Sequence, residues 1–206
     1  MIRLADGKID ETSLTALDRN AYLDAGVNLF CVEITGIGGN PWSTANSYLF
    51  DRFAQLVGHT KCSLRINDVL AAVKTISAEE GVDAEGVYLW GKGSLAVPVI
   101  YSAAVNSKVA GVVLEDAPDR HIGITPVEAT NCETALFHIL KYGDIPQACG
   151  LIYPRTTILT GKRSAGFHWT KALYGQLGAE ESFLEHGGSA KALLSKIKDA
   201  PTIERE

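Results

Sequence analysis

The chain has 206 residues, 46% of them apolar and 21% charged, the balance of one globular domain with a full core. Its net charge of −5 argues against nucleic acid or an anionic membrane surface as a main partner. No apolar run approaches the roughly 18 residues of a membrane span, and Met1 to Asp6 has no apolar leader core, so a cytoplasmic location is expected. The four cysteines, Cys31, Cys62, Cys132 and Cys149, are scattered without metal-ligand spacing. They read as free thiols, and neither a metal nor a cofactor is implied.

In chain order, Met1 to Leu4 reads as the frayed end of a strand, followed by a turn at Asp6-Gly7-Lys8. Thr12 or Ser13 caps a helix carrying Leu14, Leu17, Tyr22 and Leu23, closed by Gly26. Val27 to Ile34 reads as a buried strand, and residues 35–60 as one long loop. A helix over Leu64–Glu80 places Ile66, Val69, Leu70, Val73 and Ile76 on one face, with Arg65 and Asp68 spaced to pair locally.

Next comes the densest signal in the chain. Val87 to Trp90, a run of β-formers, meets the glycine corner Gly91-Lys92-Gly93-Ser94 and passes into a small-residue helix, Leu95 to Val105. A buried strand over Val109–Asp116 and a polar loop over 117–131 follow. Helical pieces at 132–142 and 145–152 lead to a strand at Thr156–Gly161 and a helix at 168–177. A short strand near Ser182-Phe183-Leu184 and a last helix at 189–198 end the chain. Alternating strands and helices predict an α/β fold: an open, mostly parallel sheet with helices on both faces, as a single domain over 1–206.

Four stretches together resemble the α/β-hydrolases, specifically the acetyl-xylan-esterase and prolyl-oligopeptidase-like branch. Ala25 to Gly38 is similar to that branch's strand ending in D-x-R-G-x-G. Leu64-Arg65-Ile66-Asn67-Asp68 is similar to its R-x-x-D helix. Val87 to Ala104 lies where the nucleophile elbow G-x-S-x-G belongs. Lys141 to Ala148 with Tyr153-Pro154-Arg155 resembles the segment before the strand that carries the acid. The resemblance implies a three-layer hydrolase-like fold, a small ester or carbohydrate as ligand, and a serine–histidine–acid relay.

Departures from the pattern fall on the chemistry. On G-x-S-x-G the nucleophile position is Gly93, which has no oxygen to attack with. Sliding by one makes Ser94 the nucleophile, but puts Lys92 where strand and helix need a small residue. Ser164 stands where the resemblance implies an acid; Asp116, after the preceding strand, is the substitute, and His186 falls roughly at the histidine position. Each has a plainer reading: Ser94 as a helix N-cap, Asp116 as a loop cap, His186 as a surface or C-cap residue. Glu33 and Thr35 replace the aspartate and arginine of the glycine loop.

The N-terminus is also short for the branch, which implies a fragment or a trimmed sheet whose edge a second copy or a partner chain covers. Three functions are therefore compatible with the sequence. The first is a hydrolase-like domain without catalysis, used for binding or assembly. The second is a carboxylic-ester hydrolase using Ser94, His186 and Asp116. The third is a nucleotide binder, because Gly91-Lys92-Gly93-Ser94-Leu95-Ala96 satisfies G-x-G-x-x-A and Glu115-Asp116 follows where a ribose-binding acid belongs.

Overall fold

The structure, a computed structural model, describes residues 1–5, 21–22, 24–39, 41–122, 133–162, 164–187, 193–195 and 197. Six parallel strands form one sheet: β1 (Ile2–Leu4), β2 (Phe30–Val32), β3 (Tyr88–Lys92), β4 (Gly111–Glu115), β5 (Thr156–Thr160) and β6 (Phe183–His186). Their order is β2-β1-β3-β4-β5-β6. The chain therefore steps outward from β1 to β2, then crosses back over β1 to β3, and proceeds steadily to β6.

Helices described along their whole length are α1 (Thr44–Leu56), α2 (Lys61–Ile76), α3 (Ala96–Val105), α4 (Ile145–Gly150) and α5 (Phe167–Gln176). One sheet face, with Ile2, Leu4, Leu89, Val112, Leu114, Leu159 and Phe183, packs on α2 to α5 through Val69, Val73, Val97, Ile100, Ile145, Phe167 and Tyr174. The other face carries Met1, Tyr88, Val113 and Ile158 beneath Tyr22, Leu193 and Leu194. Both faces are thus covered by helical segments, and the run Val112-Val113-Leu114 is buried on each side as parallel strands require. The expected α/β class with a parallel sheet is what the chain adopts.

Several elements differ from expectation. Met1 to Leu4 is no frayed end: β1 lies inside the sheet, in register with Phe30–Val32 on one side and Leu89–Trp90 on the other. Its third residue, Leu4, is almost fully buried, so long-range pairing decides what three residues alone could not. The edge strand is instead β2, only three residues long. The supposed loop 35–60 contains α1, capped by Ser43 Oγ accepting from the Asn46 N–H at 3.2 Å. Helix α2 starts at Lys61 rather than Leu64, because Thr60 and Ser63 form a reciprocal capping box. The helical piece over 132–142 reduces, among the described residues, to a single 3₁₀ turn at Ile139–Lys141. Helix α4 begins as expected, with Asp144 and Gln147 as its capping box and Pro146 in the first turn. The helices expected at 12–25 and 189–198 fall mostly outside the described residues.

Candidate functional site

In open α/β sheets ligands collect at the strand C-termini where the connection order reverses. Here that point lies between β1 and β3, and β3 ends in the glycine corner.

The corner has the geometry of an elbow. Gly91 lies so close to the following helix that a Cβ there would sit 2.7 Å from the Ala96 Cα and 2.8 Å from its nitrogen. Gly93 has φ +56°, the left-handed region, and a Cβ built on it would meet nothing within 4 Å. Gly91 is therefore the close-approach glycine, and position 93 is the one whose side chain would project into open space. From Gly93 the chain makes one 3₁₀ turn to Leu95 and enters α3, where Pro98 fits because it sits in the first turn.

Ser94 lies inside this turn, half-buried, and its hydroxyl makes no cap hydrogen bond, so the N-cap reading is corrected. Lys92 projects from β3 to Glu115 Oε1 at 3.0 Å, and Glu115 Oε2 accepts from the Trp90 indole N–H at 3.2 Å. Both Glu115 oxygens are engaged.

The remaining candidates stand on separate strands. Asp116, just past β4, is exposed and left-handed at φ +50°, and its Oδ1 accepts the Lys162 N–H at 2.6 Å beyond the end of β5. It caps that turn, and Gly161 is a glycine because a Cβ there would lie 3.0 Å from the Asp116 Cγ. Ser164 donates to the Ala117 carbonyl at 3.3 Å. His186 is the buried last residue of β6, opposite Thr160, rather than a surface or C-cap residue. From β3 to β6 is three strand spacings, about 14 Å, and from β4 to β6 about 10 Å. Among the described residues, the hydrogen bonds seen at Asp116 run to the turn after β5 and none runs to Ser94 or His186.

Two polar networks were not legible from the sequence. Lys61 and Arg65, at the start of α2 and almost fully buried, both ion-pair with Glu133; Lys61 meets its Oε1 at 2.9 Å and also meets Asp51 of α1 at 3.0 Å. Burial alone would raise the Glu133 carboxyl, but the hydrogen bond from Lys61 and the Arg65 guanidinium outweigh it and hold the group below its ordinary range. Arg65 also donates to the Thr35 carbonyl at 3.2 Å, and Asp68 accepts the Thr35 N–H at 2.8 Å. The expected local Arg65–Asp68 pair is thus replaced by joint anchoring of the loop after β2. Glu33 closes that loop by accepting the Gly39 N–H at 2.8 Å.

In the second network, buried His121 meets the Thr134 carbonyl through Nδ1 and the Tyr101 hydroxyl of α3 through Nε2, both at 2.8 Å. A carbonyl can only accept, so Nδ1 carries the proton and Tyr101 donates to Nε2. Burial lowers the His121 pKa from its ordinary value, the Thr134 contact and Asp144 opposing. Cys31, Cys62 and Cys149 are free thiols; burial pushes Cys62 up to about 12, far from a reactive thiolate. No helix among the described residues is long and apolar enough to cross a membrane.

No family model and no curated protein sequence matches this chain. Solved structures do match in fold. A Bacteroides fragilis protein described as an acetyl xylan esterase aligns with a TM-score of 0.71 at 13% identity, over 90% of this chain and 58% of its own. A glucuronoyl esterase from Solibacter usitatus aligns with a TM-score of 0.68 at 12% identity, over 96% of this chain and 72% of its own. A promiscuous CE15 esterase from a marine bacterial metagenome aligns with a TM-score of 0.61 at 12% identity, over 93% and 64%. This chain spans 58% and 47% of the first two structures it matches, the second a methylesterase. At such identities the likeness is one of fold: the chain has the α/β-hydrolase-like fold that these esterases share.

Proposed function

We propose that this chain is an esterase-related α/β domain that does not cleave esters and serves in binding or assembly. One observation carries the reading: the position that an elbow thrusts into the open, residue 93, is a glycine at φ +56° with free space before it. Acyl transfer needs an oxygen or sulfur there, a base within hydrogen-bond reach, and a third group to orient the base. The corner supplies the backbone and lacks the atom. Asp116 is occupied in capping the turn after β5, and His186 is held in β6.

A second reading rests on Ser94, whose hydroxyl is free of any cap bond at the elbow. In it, Ser94 attacks the acyl carbonyl, His186 takes the proton and Asp116 orients His186; the last two would have to cross the strand spacings given above. The assay that separates them is p-nitrophenyl acetate hydrolysis by the wild type and by Ser94→Ala. A rate equal in both, at the level of buffer with denatured protein, supports the non-catalytic reading; serine-dependent turnover overturns it.

The dinucleotide reading has less support, because the Glu115 carboxylate that would take a ribose hydroxyl is already filled by Lys92 and Trp90. Millimolar NAD(H) and NADP(H) are expected to leave the melting temperature unchanged.

A further inference from the structure

Helix α1 turns the usual order of a surface helix inside out. Its inward side is polar: Ser47 and Asp51 reach the buried Lys61 ammonium of α2, and of its apolar residues Ala54 alone is buried. Its outward side is apolar. Tyr48, Leu49, Phe53, Leu56 and the C-cap residue Val57 are each half exposed or more, Phe53 by 65% and Leu56 by 81%. A helix that merely lay on the surface would bury this stripe and turn its charges to water. The helix is also held firmly, by the Ser43 cap at one end and by Lys61 along its side, so little freedom is lost when the stripe meets a second surface.

Size and pattern both point to one occupant. At about 200 Å² for a whole aromatic side chain and somewhat less for leucine or valine, the five residues present on the order of 500–600 Å² of apolar surface, the top of the range for a monomer. Two copies face to face bury about 1,000–1,200 Å² before any rim is counted, which reaches the lower limit of a specific interface. Leu49, Phe53 and Val57 follow at intervals of four and form one ridge. That ridge reads alike in both directions about Phe53. A two-fold axis there sets Phe53 against its own counterpart and Leu49 against Val57 of the second copy, apolar on apolar. Charge does not interfere. Arg52, the one basic residue of α1, folds back to donate to the Tyr48 hydroxyl at 2.9 Å, and Asp51 is engaged by Lys61. A lipid surface calls instead for several basic residues beside the stripe.

We propose that α1 is the contact through which two copies of this chain associate, as an antiparallel helix pair centred on Phe53. The proposal rests on the assembly side of the reading above and names the partner. The two fail separately. A monomer that hydrolyses nothing sinks this proposal and leaves that reading, whereas a dimer with serine-dependent turnover does the reverse.

The test is sedimentation equilibrium of the wild-type protein from about 1 to 300 µM, where a weak interface of this size is expected to pass from monomer to dimer. Phe53→Asp and Phe53→Arg, at an exposed position, are each expected to keep the wild-type urea midpoint of the monomer and to weaken the dimer at least tenfold. Leu49→Asp, on the same ridge, repeats the loss. Mixed one to one, the two Phe53 variants are expected to pair again, because the axis brings opposite charges together. Leu151→Asp, at an exposed position on the end of α4, is expected to leave the dimer unchanged. A wild type that stays monomeric overturns the proposal, as does a dimer that survives Phe53→Asp and Leu49→Asp, or one that Leu151→Asp weakens equally. A mixture of the Phe53 variants that stays monomeric overturns the two-fold placement.

Discussion

Gly91 and Ala96 stand so close that a single added carbon on Gly91 would come within 2.7 Å of the Ala96 Cα. Backbone meets backbone there, so nothing flexible can yield. Two residues on, Gly93 has open space but a left-handed φ. The two glycines therefore predict opposite tolerances. Gly91→Ala is expected to destabilise by about 2–4 kcal/mol through overpacking. Gly93→Ser is expected to fold at a cost of about 1 kcal/mol, the left-handed penalty alone. Urea unfolding of the two variants against the wild type reads both; equal losses would contradict the elbow geometry.

The ion cluster at the start of α2 predicts an acid-sensitive contribution to stability. Glu133 is the acid that Lys61 and Arg65 share, and removing its charge leaves two buried cations short of a partner. Its side chain is 38% exposed, so Glu133→Gln is expected to cost about 2 kcal/mol at neutral pH, below the range for a fully buried pair. The folded-state pKa is depressed, so this contribution is fully present above the unfolded value near 4.5 and fades as pH falls through the folded value. The variant should show a flatter loss of urea midpoint below pH 4.5 than the wild type.

That cluster also marks where the sequence stops being readable. Its bonds join residues 72 and 68 positions apart, and no local pattern signals such a partner. The local Arg65–Asp68 pairing looked natural at a spacing of three, yet Thr35 wins both side chains because its backbone groups would otherwise lie unsatisfied behind β2. The elbow was legible for the converse reason: glycine spacing, β-formers and a small-residue helix are all local. Helix α1 is not legible in the sequence because Tyr48, Leu49, Phe53 and Leu56 face outward, so its apolar residues mark no buried stripe. β1 carries no local signal, because three residues become an inner strand only through neighbours at 30–32 and 89–90. That His186 ends β6, two strand spacings from Asp116, follows only from the strand register, which no local pattern carries.

His121 predicts a second, separate pH dependence. The folded protein holds it neutral and the unfolded chain protonates near 6.5, so the unfolded state binds more protons below that value. Stability is accordingly full above pH 6.5 and falls as pH drops toward the depressed folded pKa. Tyr101→Phe removes the donor to Nε2, which is expected to cost about 1 kcal/mol and to raise the His121 pKa, since that bond favours the neutral ring. A histidine-selective NMR titration of wild type and variant checks it; an unchanged His121 pKa would contradict the tautomer assigned above.

The central claim is that residue 93 leaves the elbow without a nucleophile. The most direct measurement is intact-mass analysis after incubating the wild-type protein with a fluorophosphonate, which labels activated serines. The account predicts no adduct, in the wild type and in Ser94→Ala alike. A single stoichiometric adduct that maps to Ser94 and vanishes in Ser94→Ala would contradict it.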